Sequence, residues 1–178
     1  MNEELLRGEL VYLRTPEPEK QSEIAAQWLH DSEYWRLADC GPAVLWTPGQ
    51  QEDWLKKTMS GVAFMIHTLE DDHIIGSLDL TSIDVVNRNA WLGIGIGERQ
   101  YWGGGYGSDA LRIILRYGFQ VLNLNRISLN VYEYNPRAIR AYEKVGFVRE
   151  GALRQWIQRD GQRWDLVFMS VLRQEWEA

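Results

Sequence analysis

The chain is 178 residues long, 45% apolar and 25% charged, with nine Trp, which excludes a disordered polymer and fits one domain around one core. A formal net charge of −6 without a basic stripe argues against a nucleic-acid binder; the acidic balance either keeps the protein in solution or favours cationic small molecules and basic protein tails. No apolar run approaches the roughly 18 residues of a membrane span, MNEELLRGEL lacks a secretory layout, and the single Cys40 supports neither an internal disulfide nor a metal site, so a cytoplasmic protein without metal or membrane partner is expected.

GELVYLRTP (8–16) alternates as a strand and is ended by Pro16 and Pro18. PEKQSEIAAQWLHDSEYW (18–35) carries Ile24, Trp28 and Leu29 at helical spacing and predicts one helix. GPAVLWTPGQ reads as loop, and Thr47-Pro48 opens a second helix with Thr47 as its candidate cap. GVAFMIHTL (61–69) and HIIGSLDLTSI (73–83) are two strands around the acidic turn Glu70-Asp71-Asp72. AWLGIGIGE (90–98) is a third, whose Gly93, Gly95 and Gly97 are odd because Gly weakens a strand unless something approaches its backbone.

SDALRIILRYGFQVL then predicts a helix with Leu111, Ile114, Leu115, Phe119 and Leu122 on its apolar face. RISLNVY (126–132) is a strand. NPRAIRAYEKVGF is a complete short helix, with Asn135 as N-cap, Pro136 at the first helical position and Gly146 as the stop that Phe147 packs. ALRQWIQRDGQRWDLVFMSVL is a hairpin around Asp160-Gly161. The order is strand, two helices, three strands, helix, strand, helix, two strands: one mixed α/β domain over 1–178, with a mainly antiparallel sheet.

Between the third central strand and the long helix stands YWGGGYGSDAL, residues 101–111, with four glycines from Gly103 to Gly107. A strand, a glycine-rich turn and a helix start place unpaired backbone N–H groups at the positive end of the helix, an anion site suited to phosphate. Ser108 stands where the dinucleotide fingerprint needs its third Gly, and no Lys lies between Lys57 and Lys144 to complete a P-loop. A tight turn without a ligand is the alternative.

The flanking segments carry a resemblance. Trp102-Gly103-Gly104-Gly105-Tyr106-Gly107 aligns with the phosphate motif Gln/Arg-x-x-Gly-x-Gly/Ala of the GNAT superfamily of acetyl-coenzyme-A-dependent N-acetyltransferases. Asn135, Ala138-Ile139 and Tyr142-Glu143-Lys144-Val145-Gly146-Phe147 match that superfamily's later Asn-x-x-Ala-Ile-x-x-Tyr-Glu-Lys-x-Gly-Phe block. The chain resembles this superfamily over essentially its whole length, most densely from Leu92 to Phe147. Within it, the chain looks most like the branch that includes ribosomal-protein N-terminal acetyltransferases and spermidine acetyltransferases.

The resemblance implies a single GNAT-like domain with about seven strands, splayed between the fourth and fifth, and about four helices. Acetyl-coenzyme A would be the cosubstrate, its pyrophosphate on the amides of Trp102, Gly103, Gly104, Gly105, Tyr106, Gly107 and Ser108. Its pantetheine arm would pair along Leu92, Ile94, Gly95 and Ile96, with Gly93 and Gly95 making room for it, and Asn135 and Tyr142 would touch it further on. Trp102 replaces the motif's Gln or Arg, and Gly104 stands where many members are basic, so phosphate binding would lean on backbone dipoles and coenzyme affinity would be modest.

Transfer to an amine requires that amine to be neutral: about one molecule in 2,500 of a lysine-type amine at pH 7, against about one in ten of an α-amine. The oxyanion would be met by a backbone N–H around Ile94 to Ile96. Tyr142 is the candidate acid for the leaving thiolate, or else an ordinary core aromatic in step with Ile139 and Val145. The position where several relatives carry a glutamate base is Trp91. Asp79 interrupts an apolar strand and is the candidate base, directly or through water, or else a solvent-facing carboxylate; Asp84 and Glu33 are weaker. His30, His67 and His73 are scattered.

Tyr34, Trp35, Trp46 and Trp156 would line an aromatic acceptor pocket or belong to the core. Asp31, Glu33 and Asp39 are too few for a polyamine patch. The expected activity is acetyl transfer to a primary amine (a protein N-terminus, an amino acid or an amino sugar) by a monomer or homodimer. The alternatives are a coenzyme A binding or sensing module without turnover, and a polyamine acetyltransferase.

Overall fold

A computed structural model describes residues 3–41, 45, 47–58 and 62–176. After a 3-10 turn at Glu3–Leu6, the elements in chain order are β1 (Val11–Arg14), α1 (Pro18–Leu29), α2 (Ser32–Ala38), α3 (Pro48–Thr58), β2 (Val62–Thr68), β3 (Ile74–Asp84) and β4 (Asn89–Ile96). A second 3-10 turn at Arg99–Tyr101 leads to α4 (Tyr106–Gln120), β5 (Arg126–Tyr132), α5 (Pro136–Lys144), β6 (Val148–Arg159), β7 (Gln162–Leu172) and α6 (Arg173–Trp176). The strands form one sheet in the order β1-β2-β3-β4-β5-β7-β6. Every pairing is antiparallel except β4 with β5, which α4 connects as a crossover.

Alternation sorts the sheet into two faces. Leu78 and Leu80 of β3 pair with Ile94 and Leu92 of β4, and these side chains meet Leu111, Ile114, Leu115 and Phe119 of α4 in the main core. Leu122, the last residue of the predicted stripe, lies past the helix end and is half-buried. The opposite face carries Met65, packed against Ala25 and Trp28 of α1. No helix among the described residues is long and apolar enough to cross a membrane.

Local chemistry explains most boundaries. Thr47 and Gln50 form a reciprocal capping box at the start of α3, Thr47 Oγ1 accepting from the Gln50 N–H at 3.3 Å and Gln50 Oε1 from the Thr47 N–H at 2.9 Å. Asn135 caps α5 by accepting from the Ala138 N–H at 3.1 Å. The same helix closes at Gly146 (φ 101°), where the Gly146 and Phe147 N–H groups return to the carbonyls of Glu143 and Tyr142, both at 3.1 Å. Asp160 and Gly161 both take positive φ, 54° and 72°, as a tight hairpin turn requires.

Three expectations are corrected. The single helix over 18–35 is two, because Asp31 accepts from the Glu33 and Tyr34 N–H groups at 2.9 and 3.1 Å and starts α2 afresh. With α6 added, the described residues hold six α-helices rather than about four. The strand over 8–16 shrinks to β1.

That strand is pinned from a distance. Asp109, buried in the first turns of α4, accepts from the Leu10 N–H at 2.8 Å and the Val11 N–H at 3.1 Å. Removing it leaves two amide donors, the Val11 one buried, without this acceptor. Asp109→Ala is therefore expected to cost about 3 kcal/mol, read as a lowered urea midpoint with an unchanged m-value.

Candidate active site

β4 and β5 pair only at Asn89↔Arg126, Ala90↔Ile127 and Trp91↔Ser128. Beyond that point β4 stays with β3, and β5 with β7, so the strands part. A cavity of about 690 Å³ occupies the opening. One wall is Leu92, Gly93, Ile94, Gly95 and Ile96, the other Asn130, Val131 and Tyr132, and its far end is the glycine loop.

The loop arrives there with its donors free. Gly103 (φ 79°) and Gly105 (φ 93°) adopt left-handed conformations that turn the chain into α4, which has no side-chain cap. The first helical bond is Asp109 N–H to the Gly105 carbonyl at 2.9 Å, and the N–H groups of residues 103–108 have no acceptor among the described residues. Such a cluster at a helix start is built for an anion.

Trp102 donates its indole N–H to the Ile96 carbonyl at 2.7 Å, tying the loop to the end of β4. Over its ring, 3.8 Å from the centroid, lies the guanidinium of Arg137. Arg137 is half-buried, desolvation draws its pKa down, and it makes no salt bridge among the described residues. Arg140 and Lys144 of α5 also reach the cavity. Three cations of α5 thus line the cavity beside a loop that carries none, where phosphate binding was expected to lean more on backbone dipoles and less on side-chain charge. Arg137, Arg140 and Lys144 recur at helical spacing in NPRAIRAYEK, a signal the motif comparison passed over.

At the alternating glycines, side chains of the chain itself take up the space that a Cβ would fill. A Cβ on Gly93 would stand 2.7 Å from Asp79 Oδ1, one on Gly95 2.6 Å from the Tyr34 hydroxyl, and one on Gly97 2.1 Å from the Trp28 ring. The cleared space holds side chains of β3, α2 and α1 on the face opposite α4, and Gly93, Gly95 and Tyr34 also line the cavity. Asp79 is half-buried; desolvation raises its carboxyl above the ordinary Asp value, and the Gly93 N–H opposes that rise. Burial pushes the Tyr34 phenol up to about 12.

Tyr142 lines the cavity from α5, 9% exposed, with its ring against Phe147. Burial pushes its phenol up to about 12, so it stays protonated at neutral pH, and its hydroxyl makes no hydrogen bond among the described residues. Asn135 also lines the cavity. So do Leu92, Ile94, Gly95, Ile96, Trp102, Gly103, Gly104, Gly105, Gly107 and Ser108; Tyr106 does not, its ring packing edge-on against Tyr101.

Of the aromatic set, only Tyr34 lines the cavity. Trp35 is buried in α2, Trp156 is exposed on β6, and Trp46 lies outside the described residues. Asp31 is ion-paired with Arg99, which holds its pKa down at about 2, and Glu33 lies 4.0 Å from Arg36, itself paired with Asp160 at 2.8 Å. Asp39 binds the Gly41 N–H at 2.6 Å, and Asp84 caps its own turn through the Val86 and Asn87 N–H groups. His30, His67 and His73 stand away from the cavity lining; His67 is buried in β2 beside Asp72.

The family description "Acetyltransferase (GNAT) domain" matches residues 11–148, and the chain belongs to this family. It is 35% identical over 113 residues to the uncharacterized N-acetyltransferase p20 of Bacillus licheniformis, covering 64% of this chain and 63% of that protein. It is 31% identical over 126 residues to the putative ribosomal N-acetyltransferase YdaF of Bacillus subtilis, covering 71% and 68%. Among solved structures, spermidine N-acetyltransferase from Vibrio cholerae in complex with CoA and spermine superposes with a TM-score of 0.83 over 94% of this chain and 98% of that one, at 23% identity.

Trp102 and Arg137 form one unit, so their contributions to anion binding should not add. Trp102→Ala and Arg137→Ala are each expected to weaken coenzyme A binding about tenfold, and the double variant about as much as either alone. Calorimetric dissociation constants for the four proteins check this coupling.

Proposed function

We propose that this protein transfers the acetyl group of acetyl-coenzyme A to a primary amine. The observation that carries the reading is the β4–β5 opening, which ends on the acceptor-free N–H groups of the glycine loop. The residues fit the coenzyme's parts in order. The loop amides, with Arg137, Arg140 and Lys144, suit the phosphates; the unpaired edges of β4 and β5 offer an amide-bearing chain the hydrogen bonds of a missing strand. When bound, the coenzyme supplies a thioester whose carbonyl carbon an amine attacks.

The chain's own residues then do three things. Backbone N–H groups of β4 around Ile94 to Ile96 meet the developing oxyanion. Tyr142, protonated and inside the cavity, gives a proton to the departing thiolate. The helices α1 and α2 cover the opposite face of β4, where the acceptor enters. We place the protein in the cytoplasm, as a monomer or homodimer. A coenzyme-sensing module without turnover is the alternative that Trp91, at the usual base position, keeps in view.

Thiol release from acetyl-coenzyme A with a panel of amines tests the reading directly; coenzyme binding with no release for any amine would leave the sensing module. Gly107 lines the cavity at an ordinary helical φ, and an added Cβ would meet Ile96 at a comfortable 3.7 Å. Gly107→Leu should therefore fold and lose at least tenfold in coenzyme affinity, because the rest of the side chain fills the phosphate end. Tyr142→Phe should change stability by no more than about 1 kcal/mol and leave coenzyme affinity unchanged. Its turnover should fall about 10²-fold, the low end for a general acid. Near-normal kcat in that variant would return Tyr142 to the core.

A further inference from the structure

On the face turned away from α4, β4 presents Trp91, Gly93 and Gly95 at alternate positions, with Gly97 just past its end. The Asp79 carboxylate stands over Gly93 and the Tyr34 hydroxyl over Gly95, each where a Cβ would otherwise be. One two-residue repeat, roughly 6–7 Å, separates the two glycines, a span that admits an amine nitrogen with one hydrogen bond to either side. Both groups are poised for such a guest. Asp79 forms no ion pair and the Tyr34 hydroxyl no hydrogen bond among the described residues. Gly93, Gly95 and Tyr34 line the cavity in which the thioester would lie, whereas Asp79 stands over Gly93 just outside that lining.

On the far side of Asp79 stands Trp91, 39% exposed, with its ring edge-on to Phe168 at 6.0 Å between centroids. Of the acids near α2, Asp31 is paired with Arg99, Glu33 and Asp160 lie beside Arg36, and Asp39 binds the Gly41 N–H. One carboxylate without an ion pair on this face of β4, with an aromatic ring nearby, suits a single ammonium on an apolar skeleton; a polycation would need several.

Resting on the acetyl-transfer reading, we propose that the acceptor is a primary amine carried on an apolar or aromatic skeleton, received as its ammonium between Asp79 and Tyr34 and deprotonated by Asp79. The ammonium gives one proton to the Asp79 carboxylate, which passes it to solvent. The freed lone pair forms the C–N bond, the C–S bond breaks, and the thiolate takes the Tyr142 proton. The second proton lost by the nitrogen restores Tyr142. The balance is ammonium plus acetyl-coenzyme A to N-acetylamine, coenzyme A thiol and one proton.

The test uses the full chain and three probes at pH 7: phenethylamine as an alkylamine, phenylalaninamide as an α-amine with the same ring, and spermidine as the polycation. The wild type should show a kcat/KM for phenethylamine at least tenfold above that for spermidine. Asp79→Asn, nearly isosteric, should keep coenzyme A affinity by calorimetry and lose about 10²-fold or more in kcat with phenethylamine. The loss should be distinctly smaller with phenylalaninamide, because about one α-amine in ten is already neutral against about one alkylamine in 2,500. Tyr34→Phe should raise KM for both aromatic amines more than it lowers kcat.

An equal loss for both amines would make Asp79 merely structural, and no loss, preference for spermidine, or coenzyme binding without turnover of either aromatic amine would overturn the inference while sparing coenzyme binding. A wild type that binds no coenzyme A would instead sink the acetyl-transfer reading, and this inference with it.

Discussion

The rest of the molecule depends on three residue pairs. Asn89, Ala90 and Trp91 hold β4 to β5, and then the pairing stops although both strands continue for several residues. A sheet interrupted in its middle exposes backbone donors and acceptors that must be met by something other than a neighbouring strand. The opening survives because each strand has its other edge secured, β4 by β3 down to Ile96 and β5 by β7 up to Tyr132. Because β4 and β5 are parallel, their carboxyl ends open in the same direction, and the helices that follow them both begin there. α4 starts at Tyr106 and α5 at Pro136, so two positive helix ends converge on one cavity, as at the carboxyl ends of parallel strands in open α/β sheets.

Where a boundary is written in two or three adjacent residues, the sequence alone locates it. Asn135-Pro136 with Gly146, Thr47-Pro48 and Asp160-Gly161 are of this kind, since cap and turn geometry is satisfied within a few positions. The break between α1 and α2 is equally local, but Trp28, Tyr34 and Trp35 continue the apolar rhythm across it and mask the cap at Asp31. The extent of β1 is not local at all. It is set by a carboxylate about a hundred residues away, Asp109, and nothing in GELVYLRTP announces that partner.

The candidate site divides in the same way. Its glycine-loop end was legible because glycines with positive φ and an uncapped helix start leave a contiguous trace, and its order along the chain matched a family motif. The glycines of β4 were legible only as an anomaly. Their reason lies in Asp79, Tyr34 and Trp28, which come from three other elements, so the spacing showed that something approaches the strand without showing what. The aromatics Tyr34, Trp35, Trp46 and Trp156, expected to line a pocket or belong to the core, divide for a related reason: Trp46 lies outside the described residues, and helix and strand phase decide which of the other three faces inward, only Tyr34 reaching the cavity.

Two charges are held at some cost and without an ionic partner among the described residues. Arg137 is half-buried against Trp102 at the loop end, and Asp79 is half-buried over Gly93 at the other side of β4. An unpaired charge out of water destabilises the fold that carries it, and a fold tolerates such groups where a ligand completes them. Their signs are opposite and their places are not interchangeable: the cation joins unpaired N–H donors, the anion joins a lone hydroxyl and an aromatic wall. The cation thus stands at the glycine-loop end of the opening, and the anion beside that opening, over Gly93 on the sheet face opposite α4. That polarity is what a reaction joining a phosphate-bearing thioester to an ammonium requires, and it is set by which face of one strand was left without side chains.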